Sequence, residues 1–186
     1  KSNYTPALEN YANLKREKNE IHESIELYEK AYKINNNSES ILLSLSATYQ
    51  IVGKFDLSKK FLKILTQKFP NNTIADKMLS DLLDYSLEKD HQNTMITKIK
   101  DKNISNVKKI PLYFSLAKSY EDQENYKKSS EFFKLGNKLG DDSFTYTEIM
   151  LALPGDTVEK FHTSVKDGIE SGARVIKVFQ SIFLLG

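Results

Sequence analysis

Residues 41–70 read ILLSLSATYQIVGKFDLSKKFLKILTQKFP, and this stretch decides the fold. Ile41, Leu42, Leu45, Tyr49 and Val52 recur at spacings of three and four, the period of one face of an α-helix. Gly53 follows, and glycine accepts the left-handed conformation that a helix C-terminus needs. A second apolar stripe runs through Phe55, Ser58, Phe61, Leu62, Leu65 and Phe69. Pro70 closes it, because proline cannot continue a helix and biases its predecessor away from helical geometry. Asn71, Asn72 and Thr73 supply caps for a further helix. The stretch is two helices joined by a tight turn.

Working outward, the pattern repeats. Ile21, Ser24, Tyr28 and Ala31 each lie 34 residues before Phe55, Ser58, Leu62 and Leu65. A fixed period of that length is what stacked helix–turn–helix units leave in a sequence. Leu8, Tyr11, Ala12 and Leu14 form the first stripe of the earlier unit, whose closing proline is replaced by Asn36. Tyr113, Leu116, Ala117 and Tyr120, then Tyr126, Ser129 and Phe133, form a later copy. Ser58 and Ser129 are 71 residues apart, so one unit with a short insertion lies between them. Within that degenerate unit, 74–106, Met78, Leu82, Leu83 and Leu87 predict one helix, and Met95, Ile96 and Ile99 a shorter one. Ser105 and Pro111 mark the start of the next. Four helix pairs are expected over residues 4–140.

This arrangement resembles the tetratricopeptide repeat. Leu42, Leu45, Ser46 and Tyr49, followed by Phe55, Ser58 and Pro70, stand in the order that family uses. The small residue has a physical reason, since helix axes 8–10 Å apart are spaced by the side chains between them. The resemblance implies a binding module whose first helices line a concave groove for a peptide or helix of another protein. It places Glu9, Asn13 and Arg16, then Leu43, Ala47 and Gln50, then Phe114, Lys118 and Glu121 in that groove. Glu9 and Ala47 break the Lys and Asn pattern of chaperone-binding members, so chaperone binding is not expected.

The last unit, with Tyr113 to Asp122, Tyr126, Phe132, Phe133 and Gly136 to Leu139, resembles the final repeat of bacterial proteins that fuse such repeats to a sulfotransferase. The Gly-rich phosphate loop for the sulfate-donor nucleotide is absent from this chain. From about Ser143 the pattern changes. Residues 144–153 form a near-continuous apolar run, as in a buried parallel strand. A turn at residues 153–157 leads to an amphipathic face of Val158, Phe161, Val165 and Ile169, and residues 175–183 read as a second strand. Strand, helix, strand make one partial βαβ unit. Residues 147–157, with Gln180 and 184–186, resemble a barrel segment of radical S-adenosylmethionine enzymes. That resemblance implies Glu148 and Gly155 as cofactor contacts, but the family's three-cysteine cluster is missing. S-adenosylmethionine or a sulfate-donor nucleotide would belong only to a longer parent protein. Two unrelated signatures meet near residues 139–145 without a linker, which suggests a composite or a fragment, and Lys1 looks like a cut end.

The expected fold class is mainly α: a tetratricopeptide-like solenoid at 4–140, then a βαβ fragment at 143–186. The rest of the sequence narrows function by exclusion. Lys and Arg number 27 against 25 Asp and Glu, so neither nucleic acid nor an anionic membrane is implied as partner. No apolar stretch approaches a membrane span, and no cysteine is available for a disulfide or thiolate site, which suits a reducing cytoplasm. His22, His91 and His162 are scattered, Glu159 and His162 lack partner motifs, and Asp141, Asp142, Glu121 and Asp122 read as solvated. No catalytic residue, metal site or resident cofactor is expected.

Overall fold

A computed structural model describes residues 4–140, 146–151, 163, 166 and 175–180. Among these, eight helices follow one another: α1 (Tyr4–Glu17), α2 (Ile21–Ile34), α3 (Glu39–Ile51), α4 (Phe55–Lys68), α5 (Thr73–Leu82), α6 (Asp90–Lys100), α7 (Asn106–Glu121) and α8 (Tyr126–Leu139). The stops and starts follow the local chemistry. Ser38, Asn72, Ser105 and Asn125 accept a backbone N–H from the first turns of α3, α5, α7 and α8. Helix α4 ends at Lys68 and is capped by Phe69, the residue before Pro70.

Three of the turns inside the pairs are built the same way. Asn19, Gly53 and Glu124 adopt positive φ of 61°, 72° and 57°. After each, the next amide reaches back five residues: Glu20 to the Lys15 carbonyl, Lys54 to Tyr49 and Asn125 to Tyr120. This is the Schellman closure of a helix end. Asn19 and Gly53 are 34 residues apart, so the period governs the backbone as well as the side chains.

The interior follows the predicted stripes. Leu8, Ala12, Ile25, Tyr28, Ala31, Ile41, Leu42, Leu45 and Tyr49 are buried along the first two pairs. Leu62, Leu65, Ala75, Leu79, Met95, Leu112 and Leu116 continue the core toward the last pair. Ser24 and Ser58 are fully buried where the two helices of a pair touch. Ser24 donates to the Ala12 carbonyl at 2.8 Å, and Ser58 accepts from Gln50 Nε2 at 3.1 Å. Several stripe residues lie at the rim instead. Tyr11, Leu14, Phe55, Tyr126 and Phe133 are exposed over roughly half of their surface, at the edges of the stripes.

The third pair departs from the others. Its counterpart to Leu8 and Leu42 is Asp76, and its counterpart to Ser24 and Ser58, three residues late, is Met95. Met95 lies in the core, and α6 reaches α5 through Lys98 and His91 on Asp76. The helices α1 and α2, α3 and α4, and α7 and α8 pack as hairpins, whereas α5 packs on α4 and α7, and α6 packs on α7. Leu87 was expected in the helix before the turn, but α5 ends at Leu82 and Leu87 is the most exposed large apolar side chain described. Pro111 is not a boundary. Helix α7 starts five residues earlier at Asn106 and carries the proline inside. The carbonyl that would have bonded its missing N–H belongs to exposed Val107, where water can serve.

Beyond the helices, β1 (Tyr146–Leu151) and β2 (Val175–Gln180) pair in parallel, with Tyr146 opposite Val175 and Leu151 opposite Gln180. Glu148 pairs in register with Lys177. The expected βαβ unit is not carried by this two-stranded ladder alone. Its helix, and Gly155, lie outside the described residues apart from single helical positions at Thr163 and Lys166. Glu159, His162, Asp141 and Asp142 lie outside them too.

The shared turn geometry has a measurable consequence. Nothing lies within 4 Å of a Cβ built on Gly53, so Gly53→Ala meets only the conformational penalty. Urea unfolding should show a loss of about 1 kcal/mol for Gly53→Ala and a gain of about 0.5 kcal/mol for Glu124→Gly, which removes the same strain.

Candidate functional site

The expected groove residues sit on three first helices: Glu9, Asn13 and Arg16 on α1, Leu43, Ala47 and Gln50 on α3, and Phe114, Lys118 and Glu121 on α7. All but Glu121 are partly buried, and Glu121 is exposed. Most of them are committed to the scaffold. Asn13 Oδ1 accepts from the Tyr28 hydroxyl at 2.5 Å and from Arg16 Nη2 at 3.3 Å, tying α1 to α2. The Arg16 guanidinium lies 6.0 Å from the Tyr28 ring centre. Gln50 bridges to α4 through Ser58. Leu43 packs on the core. The Phe114 ring meets Phe133 edge-on at 5.4 Å, and a Cβ added at Gly136 would come within 3.1 Å of that ring. Glu9, Ala47 and Glu121 make no side-chain hydrogen bond or ion pair among the described residues.

Lys118 has a structural task. Its ammonium donates to the Leu83 carbonyl and to Asp122 Oδ2, both at 2.5 Å, and lies 5.2 Å from the Tyr85 ring centre. Asp122 Oδ2 in turn accepts the Tyr85 amide at 3.0 Å. The two α7 side chains therefore complete the backbone of the turn after α5, where no left-handed residue closes the helix. Asp122 was expected to be solvated. It is largely covered and doubly bonded instead, as a carboxylate facing a lysine and an orphan amide should be.

A second constellation was missed because its members are far apart in sequence. Asp76 is fully buried on α5. Lys98 of α6 donates to both of its oxygens at 2.8 Å, and His91 Nε2 lies 3.1 Å from Oδ1. The Tyr85 hydroxyl lies 2.6 Å from His91 Nδ1. With a tyrosine donating to Nδ1, the imidazole carries its proton on Nε2 and gives it to the carboxylate. Gln92 Nε2 adds a 2.9 Å bond to Ser119 of α7, and Gln123 Nε2 donates to Gln92 Oε1 at 3.1 Å. The sequence signal was the single Asp at a position that holds Leu in the two preceding units. Buried charges are tolerated when paired and bonded in this way. On its outer side, α6 is separated from α4 by a cleft of about 320 Å³, lined by Lys63, Gln67, Leu79, Glu88 and His91 among others.

Among the described residues no group of three or more His, Cys, Asp or Glu is placed to hold a metal ion. No helix among them is long and apolar enough to cross a membrane.

Burial raises the phenol pKa of Tyr28, Tyr49 and Tyr85 above its ordinary value near 10, and the Glu29 carboxylate adds to the effect at Tyr49. These groups bind their protons more tightly folded than unfolded. Their contribution is complete below pH of about 10 and is lost as pH rises through the folded values. In an alkaline titration followed by tyrosinate absorbance, three of the ten tyrosines should ionise late and together with the loss of helical circular dichroism. Ionisation of all ten in one step before unfolding would contradict this.

The family model described as Tetratricopeptide repeat matches residues 5–38 and 110–139. No curated protein matches the sequence. Among solved structures, the fold is similar to MamA MSR-1, with a TM-score of 0.57 and 18% identity over 75% of this chain and 78% of that one. MamA AMB-1 gives 0.57 and 18% over 85% and 78%. The MamA RS-1 ArsTM double mutant gives 0.58 and 12% over 75% and 77%. At such identities the likeness concerns the fold. The resemblances to a sulfotransferase fusion and to a radical S-adenosylmethionine barrel find no support in these matches. Residues 5–38 and 110–139 thus match the tetratricopeptide repeat, and the fold around them is similar to that of MamA.

Proposed function

We propose that this chain is a non-catalytic protein-interaction scaffold, holding a peptide or helix of another protein along the face formed by α1, α3, α5 and α7. The observation that supports this reading is the succession of eight helices from α1 to α8, paired as hairpins in the first, second and fourth units, with tetratricopeptide matches at both its ends. Such stacks offer an extended surface whose curvature comes from small rotations between units. Helix-in-groove and extended-peptide binding both use that kind of surface. Residues 4–140 act as the binding unit, with the segment from 143 onward separate from it. A cytoplasmic setting suits a chain without cysteine.

Within the face, Asn13, Arg16, Gln50 and Lys118 hold the walls in place, because their polar atoms are already engaged. Glu9, Ala47 and Glu121 are the contacts that a guest would meet directly. Ala47 carries little side chain and lies mid-helix on α3, so it sets the depth of the face there.

The test uses a peptide library selected on the full chain, with affinity of a selected peptide measured by calorimetry. Ala47→Arg should weaken that peptide at least about tenfold, whereas Lys60→Ala, an exposed change on α4, should leave affinity within about twofold. Equal effects of the two changes, or no enrichment over a scrambled library, would overturn the reading.

A further inference from the structure

We propose that α6 is a releasable helix, seated against α5 and α7 through polar side chains anchored on the Asp76 carboxylate, and able to leave that seat while the other helices stay folded. The inference stands on how α6 is held, independent of what the chain binds.

The second helices of the first two pairs are held by apolar burial. Helix α2 inserts Ile25, Tyr28 and Ala31, and α4 inserts Leu62 and Leu65. Helix α6 buries four residues, and three are polar: His91, Gln92 and Lys98, with Met95 the one apolar member, while Ile96 and Ile99 pack partly covered on the same core. Their partners are Asp76 on α5, Tyr85 in the preceding turn and Ser119 on α7. A seat of hydrogen bonds separates more readily than an apolar one of the same size, because water takes over each bond as it opens. The seat is nonetheless specific. A buried carboxylate admits α6 only in the register that puts Lys98 and His91 on its two oxygens.

The surroundings permit movement. The cleft of about 320 Å³ stands between α6 and α4, and the Lys63–Glu88 ion pair reaches from α4 to the segment before the helix rather than to the helix itself. Residues 83–89 and 101–105 flank the helix without regular structure. The Lys118 and Asp122 side chains hold residues 83 and 85 to α7, so the preceding turn stays fixed when α6 leaves. Departure uncovers the apolar seat of Met95, to which Leu79, Leu83, Leu112 and Leu116 belong.

Hydrogen exchange of the full chain, read by mass spectrometry over increasing urea, tests this. Amides of α6 should exchange at least about tenfold faster than those of α3 and α4, with a weaker urea dependence, the mark of a local opening. Asp76→Asn should speed α6 by a further factor of about ten while α3 and α4 change less than about threefold. Exchange of α6 in step with α3 and α4 in the unaltered chain would overturn the proposal. So would an Asp76→Asn chain in which α6 is unchanged or every helix speeds up alike. If that variant does not fold, the comparison within the unaltered chain decides alone.

Discussion

How closely two helices can approach is the constraint from which the rest of this structure follows. A helix pair buries its apolar stripes only when the axes come near enough for the stripes to meet, and a small residue at the crossing sets that distance. Ser24 and Ser58 occupy the crossing in the first two pairs, fully covered, with their hydroxyls engaged rather than orphaned. Around each crossing the large side chains fall into place: Tyr28 against α1, and Tyr49 and Phe61 stacked at 5.8 Å on the next pair. Left-handed turns at Asn19 and Gly53 then reverse the chain into the second helix of each pair.

The third pair shows what happens when that constraint is relaxed. There a methionine, Met95, takes the place of the small residue, α6 packs on α7, and the α5 position that holds Leu in the first two units is not apolar. Asp76 fills that place, and its charge is met by Lys98 and His91. A polar cluster thus substitutes for a hairpin interface. It also explains why the chain needs no proline or glycine to end α5: the Leu83 carbonyl and the Tyr85 amide are satisfied by side chains from α7.

The regular pairs were legible in the sequence because each of their stripes is a local period, and because Gly53, Pro70 and Asn72 punctuate them with residues of defined backbone preference. The stack itself was legible from the 34-residue spacing. Less could be read where the structure depends on partners distant along the chain. His91 was read only as one of three scattered histidines because Asp76 and Tyr85 lie in other elements. Asp122 looked solvated because the amide it accepts belongs to a turn 37 residues earlier. Leu87 was assigned to a helix on hydrophobicity alone, while the helix had already ended. For the groove, sequence reading found the helices but not which side chains were spoken for: Asn13, Gln50 and Lys118 have acceptors or donors that only the fold brings near.

The clamp from α7 onto the turn after α5 gives the array a direction. Units one and two close their inner turns with their own left-handed residues, so neither depends on a neighbour for that turn. Unit three is completed only by whatever comes after it, and it demands a lysine and an aspartate four positions apart on the neighbour. Lengthening this solenoid by duplicating its third unit in tandem would set an incompatible neighbour beside it. Any change in the number of its repeats must therefore be made elsewhere, or carry unit four along.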